Sequence, residues 1–258
     1  MPAAVLIALL AWRARLLTRG GAIAAALVGA AAISSGGWSF AAVLFAFFLP
    51  SVALSRIGIA RKRALVDIGK SGARDGLQVL ANGGVASLCA LAALRFGPGA
   101  FGAAFAGAFA AAAADTWGTE IGTVFGGSPR SILTLARIPT GLSGGVTIAG
   151  TLAEIAGALA VGLVADVGGV AAWLPVAIGG VAGALVDSLL GATLQALRYC
   201  PRCRRACETD PHACGTPAQL VRGAEWMTND AVNCAATLAG AIAAATAYAL
   251  LPPAVRLF

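Results

Sequence analysis

Between Arg19 and Arg56 the chain runs for 36 residues, Gly20 to Ser55, without one charged side chain. About 20 apolar residues suffice to cross the hydrocarbon layer of a membrane, so this run is too long for one span and long enough for two. The sequence SSGGW breaks it, and Gly36 beside Gly37 predicts a tight turn between the two halves. The same criterion yields eight candidate segments, near 2–17, 20–35, 38–55, 75–94, 98–115, 142–165, 168–197 and 228–251. Because 59% of the residues are hydrophobic and only 11% are charged, the charged side chains are too few to cover a soluble surface. The expected fold is therefore all-α: a polytopic transmembrane bundle of about eight helices in one membrane-embedded domain, 1–258. The amino-terminal MPAAVLIALLAW has no charged leader and reads as a short first helix rather than a cleaved signal.

The net charge of +7 could suggest nucleic acid, but the basic residues lie in short segments between apolar runs. Arg13, Arg15 and Arg19 follow the first segment; Arg56, Arg61, Lys62, Arg63, Lys70 and Arg74 follow the third. Arg130 and Arg137 follow the fifth, and Arg198, Arg202, Arg204, Arg205 and Arg222 follow the seventh. Only Arg95 and Arg256 of the 18 basic residues remain for the other side. The positive-inside rule makes the crowded side cytoplasmic and puts both chain ends outside. The expected location is a bacterial or archaeal cytoplasmic membrane, with lipid and not nucleic acid as partner.

Polar residues cluster in four segments opening from that same side. ADTWGTEIG, 114–122, ends a long Ala-rich run with Asp115, Thr116, Thr119 and Glu120. On the fourth segment Asp75, Gln78 and Asn82 share one helical face; on the seventh, Gly183, Asp187, Gly191 and Gln195 form a small and polar stripe. Asn229 and Asn233 form a face at the start of the eighth. Asp115 and Glu120, five residues apart, point away from each other on a continuous helix, so their convergence requires a break, for which Gly118 and Gly122 are available. Glu154 is expected deeper than the other acids, where a catalytic role and a helix-locking one are both open.

Carboxylates with Asn and Thr oxygens at the mouth of a bundle suit Mg²⁺, which takes carboxylate, water and phosphate oxygens. The loop GGSPRSILTLARIPTGLSGG adds Arg130, Arg137, Thr140 and the glycines Gly144 and Gly145 before the sixth segment, a setting that attracts anions. Neither GxxxxGK[ST] nor the protein-kinase signatures occur. In CPRCRRACETDPHACG, Cys200 and Cys203 have zinc-knuckle spacing, and His212 with Cys214 completes four ligands for a structural zinc, with Cys207 in surplus. This loop, 199–226, is expected in the cytoplasm, inserted between the seventh and eighth segments.

Taken in order, RDGLQVLANGG, ADTWGTEIG, PTGLSGGVT, GALVDSLLGATLQ, the CxxC and HxC loop and WMTNDAVN resemble the integral membrane family that contains eukaryotic transmembrane protein nineteen and the plant phytyl-phosphate kinases. The resemblance covers about residues 15 to 245. It implies an Mg-dependent isoprenyl-phosphate kinase that transfers a phosphoryl group from a nucleoside triphosphate to an isoprenyl monophosphate such as phytyl or geranylgeranyl phosphate. Distant likeness to CTP-dependent dolichol and phytol kinases suggests CTP as donor. By the same resemblance Asp115, Glu120, Asp187 and Asp230 would hold Mg²⁺, while Arg74, Gln78, Asn82, Asn229 and Asn233 would position phosphate and metal. Cys207 departs from the family's usual loop. Two other classes stay open: a transporter or flippase of a phosphorylated lipid or small anion, and a scaffold without chemistry.

Overall fold

The computed structural model describes residues 2–59, 62 and 72–252. Arg61, Arg63, Lys70 and Arg256, used above for orientation, lie outside the described residues. Among the described residues there are seven helices: α1 (Pro2–Arg13), α2 (Arg19–Ser55), α3 (Gly76–Phe96), α4 (Gly99–Phe125), α5 (Ile148–Val167), α6 (Trp173–Thr193) and α7 (Asn229–Leu250). Among these residues the count is seven rather than about eight because the second and third expected segments run on as α2. Gly36 and Gly37 leave helical geometry there, Gly37 with φ of 60°, a conformation that glycine adopts without strain. Val52 and Ser55 at the end of α2 line the same cavity as Ala14 and Leu16 just before its start, so the chain does turn back at the glycine pair.

Helix starts follow the local chemistry. Thr18, Thr147 and Thr228 cap α2, α5 and α7 by accepting the N–H of Gly21, Gly150 and Ala231. Asp75 and Gln78 form a reciprocal capping box at α3, Gln78 N donating to the Asp75 carboxylate at 2.9 Å and Asp75 N to Gln78 Oε1 at 3.2 Å.

Among the described residues, five helices are long and apolar enough to cross a membrane: α2, α3, α5, α6 and α7. They enclose α4, whose run from Gly102 to Ala114 is buried without interruption. Phe105 and Phe109 of α4 stack on Phe40 and Phe47 of α2, with ring centroids 4.3 and 5.7 Å apart. Elsewhere the interior is mainly alanine and glycine with a few valines such as Val43, Val161 and Val176, which lets backbones approach closely. A Cβ at Gly240 of α7 would stand 2.7 Å from Ala111 Cβ and 2.8 Å from the Gly107 carbonyl oxygen. The large side chains face outward: Ile148, Leu152, Leu163 and Val167 of α5 are all more than half exposed.

Two small sheets lie between helices. β1 (Arg130–Ser131) pairs antiparallel with β2 (Gly145–Val146) in the α4–α5 connection. Between α6 and α7, β3 (Leu197–Cys200) is flanked antiparallel by β4 (Arg205–Cys207) and β5 (Gln219–Arg222). Arg222 of β5 donates to the Gly191 carbonyl of α6 at 2.8 Å, holding this sheet against the helix end.

Candidate active site

A cavity of about 770 Å³ opens at one end of the bundle. Its wall takes Arg74, Gln78 and Asn82 from the start of α3, Asp115, Thr119 and Glu120 from α4, Glu154 from α5, Asp187 from α6, and Asn229 and Asn233 from α7. Thr140, Gly144 and Gly145 of the glycine-rich loop join them. Four expected site residues lie elsewhere. Asp75 serves as the N-cap of α3. Asp230 follows Asn229 by one residue, about 100° around the helix, and is outside the cavity wall. Arg130 and Arg137 are exposed and bridge to each other across a turn, where Arg130 donates to the Leu135 carbonyl at 2.7 Å.

The helix break expected near Gly118 does not occur, since α4 runs unbroken to Phe125. Polar residues continue a helix beyond its apolar part here because they face a cavity rather than the end of the structure. Gly118 and Gly122 instead give α5 room. A Cβ at Gly118 would stand 2.5 Å from Glu154 Cγ, and one at Gly122 3.3 Å from Gly150 Cα. Glu154 is thereby brought to the other acids, against the expectation that it lies apart. The sixth segment was expected to start at 142, but α5 starts at Ile148; six residues are about 9 Å of helix rise, enough to move Glu154 to the depth of Asp115.

Within the cavity, Asp115 feels the charges of Glu154 and Glu120, while Asp187 feels Asp115, Glu154 and Glu208. Glu120 is paired with Lys62, which also donates to the Leu54 carbonyl at 2.9 Å. Asp187 Oδ2 is buried without a hydrogen-bond partner. Arg74 is fixed through its backbone, donating to Leu16 O and accepting from Thr18 N, both at 3.0 Å, and its guanidinium lies 5.9 Å from the Phe47 ring centroid. Gly21 allows this, since a Cβ there would collide with the Arg74 carbonyl. Burial pulls the Arg74 guanidinium below its usual value and Glu120 pulls it back up; an arginine remains a cation under both influences.

Glu208 is the site residue with no sequence signal, because it belongs to the cysteine loop and not to any periodic face. Its carboxylate accepts from Ser143 N and from Gln195 Nε2, each at 2.9 Å, and so ties β4 to both the glycine-rich loop and the end of α6. One N–H of that loop is therefore already engaged. Burial pushes the Glu208 carboxyl above its usual value, against the hydrogen bonds from Ser143 and Gln195 and the charge of Arg222. A carboxyl raised in the folded state stabilises the fold fully below its unfolded value, and that contribution is lost as pH rises through the folded value. Melting temperature should fall as pH rises through that window, and Glu208→Gln should flatten the slope.

Cys200, Cys203, His212 and Cys214 bring their ligand atoms within 4.8 Å of one another and could hold a zinc ion. Cys200 Sγ lies 3.7 Å and His212 Nδ1 3.1 Å from Cys214 Sγ. Thr216, and after it His212, pull the Cys214 thiol down to about 5, toward the thiolate that zinc takes as ligand. Cys207 turns away, its thiol meeting the Thr209 carbonyl at 3.7 Å, which removes the surplus candidate. Among the described residues the cavity carboxylates form no comparably tight group.

The sequence profile of the family described as integral membrane protein DUF92 matches residues 2–241. The chain belongs to that family. Protein PGR of Arabidopsis thaliana is 30% identical over 257 residues, covering 88% of each chain. An uncharacterised membrane protein of Methanocaldococcus jannaschii is 33% identical over 192 residues, covering 73% of this chain and 79% of that one. Another, from Synechocystis, is 31% identical over 62% of this chain and 64% of its own. No solved structure matches. A DUF92 membrane protein thus combines a polar cavity at one end of its helix bundle with a cysteine and histidine cluster beside it.

Proposed function

We propose that this protein transfers a phosphoryl group from a nucleoside triphosphate to an isoprenyl monophosphate at the membrane surface, forming the diphosphate. The observation that carries the reading is the cavity itself. Ligand pockets commonly measure about 300–1,000 Å³, and this one, of about 770 Å³, brings acids from three helices together with an arginine, a glutamine and three asparagines. The family resemblance supplies the substrate class and favours CTP as donor.

The donor set suits Mg²⁺. Asp187 keeps a buried oxygen without a partner, Asp115 and Glu154 crowd it with like charge, and a magnesium site needs only one or two carboxylates beside water and phosphate. Asp115 and Asp187 would hold the ion, and Glu154 would add its negative charge to the site; Glu120 is committed to Lys62. When bound, the ion neutralises charge on the phosphate chain. Arg74 would grip the acceptor phosphate, and the amides of Gln78, Asn82, Asn229 and Asn233 would orient the two anions toward each other. A terminal oxygen of the acceptor forms the new P–O bond as the bridging bond to the donor's γ-phosphorus breaks, and the nucleoside diphosphate leaves. The acceptor is already an anion, so no general base is required.

The same end of the bundle carries Arg13, Arg15, Arg19, Arg56 and Arg198, which supports a cytoplasmic cavity and external termini by the positive-inside rule. Purified protein supplied with Mg²⁺, labelled CTP or ATP and geranylgeranyl or phytyl phosphate should yield the diphosphate. Absence of turnover with every donor, together with flux of the lipid phosphate in liposomes, would replace this reading by transport. Arg74→Lys should raise the KM for the acceptor by about 10- to 100-fold, the worth of one charged hydrogen bond, with a smaller change in kcat.

A further inference from the structure

Beside the polar cavity lies a narrow slot of about 80 Å³ between α1, both arms of α2, and α3. Ile7, Val28, Ile33, Leu44 and Phe48 are typical of its wall, in which just three polar residues appear: Arg74, Gln78 and Asn82. Those three are also in the wall of the polar cavity. The two spaces therefore meet at one polar junction, with an apolar channel on one side and the acids on the other.

We propose that this slot holds the single isoprenoid tail of the lipid phosphate, and that Ala25 and Ile33 set how long a tail is accepted. The proposal rests on the substrate class proposed above, but not on turnover. A molecule whose phosphate sits at Arg74 has its remaining chain at the slot's mouth, where Phe47 packs below the guanidinium and the wall beyond is hydrocarbon. The slot is bounded by four helical arms and is narrow, so it takes one chain at a time. At 1.5 Å per residue, Ala25 lies about 9 Å along α2 from Arg19 and Ile33 about 21 Å. Ala25 therefore borders the near part of the channel and Ile33 its far part. Both are only partly buried, so each position can change size without filling a closed core.

The test is direct binding in detergent, without nucleotide, of geranyl, farnesyl and geranylgeranyl monophosphate, with inorganic phosphate as the tail-less probe. Affinity should rise with tail length in the parent, because each added unit buries more apolar surface. Ala25→Trp should cost geranylgeranyl monophosphate about tenfold or more in affinity and geranyl monophosphate far less, with Ala25→Leu intermediate. Ile33→Ala should shift the preference toward longer tails. Leu27→Trp, on the outward face where Leu27 is 63% exposed, should change nothing. Length-independent binding by Ala25→Leu and Ile33→Ala, or equal competition by a two-chain phosphatidic acid, would overturn the proposal. Tail-dependent binding without diphosphate formation would uphold the slot and remove the kinase reading; diphosphate formation indifferent to all slot variants would do the reverse.

Discussion

Asp187→Asn is expected to lower diphosphate formation by about 10²- to 10³-fold, the usual loss when one preorganised electrostatic contact to a developing charge is removed. The substitution keeps the shape of the side chain and removes the charge. Asp187 sits near the end of α6, where Gly183 and Gly191 on its own face let α4 and the glycine-rich loop close in. Its Oδ2 has no hydrogen-bond partner, so no fold-stabilising bond is lost with the carboxylate. The melting temperature should hold or rise, because an unpaired buried charge is a cost to the fold. Weaker Mn²⁺ binding, measured by electron paramagnetic resonance without substrate, should accompany the loss of activity. An Asp187→Asn protein that turns over normally would eliminate this carboxylate from the chemistry.

The second large effect is expected from the cysteine cluster. Cys200→Ser should abolish zinc binding, read by elemental analysis, and lower the melting temperature substantially; structural zinc in small domains is worth about 10–16 kcal/mol of apparent binding energy. Cys207→Ser should retain one zinc per chain, although Cys207 is as buried as Cys200. Loss of the metal should also reach the cavity. Cys200 ends β3, β4 pairs with β3, and Glu208 follows β4 directly to brace Ser143 and Gln195. Activity should therefore fall with zinc content even though four protein ligands leave the ion no open position for chemistry. Absence of zinc from the parent protein, or full activity in a zinc-free Cys200→Ser protein, would overturn the role given to the cluster.

How much of this was legible in the sequence differs from element to element. The charge-free run around Gly36 and Gly37 announced two arms and a turn, because both lipid spanning and glycine geometry are local properties. The order of the four polar segments also sufficed to bring Asp115, Asp187, Asn82 and Asn233 to one end, since alternate helices must present alternate termini there. Helix limits were less legible. Asp115 to Glu120 reads like the end of a span, and only packing against α5 shows that α4 continues for ten residues past Asp115. Moving the start of α5 by six residues was enough to hide Glu154 from the site. Arg130 and Arg137 have the right chemistry for phosphate, but a two-residue strand turns them outward. Glu208 could not be found from any helical phase, because a long-range loop contact places it.

The alanine and glycine interior imposes an asymmetry on how this chain can vary. Most globular cores are damaged by trimming, because a large side chain leaves a void. Around Gly107, Gly179, Gly183 and Gly240 there is almost nothing to trim, and a single added methyl group already meets a neighbouring backbone or Cβ. A deep mutational scan would thus find intolerance to growth inside and indifference among leucine, isoleucine and valine outside, the inverse of the pattern familiar from water-soluble enzymes.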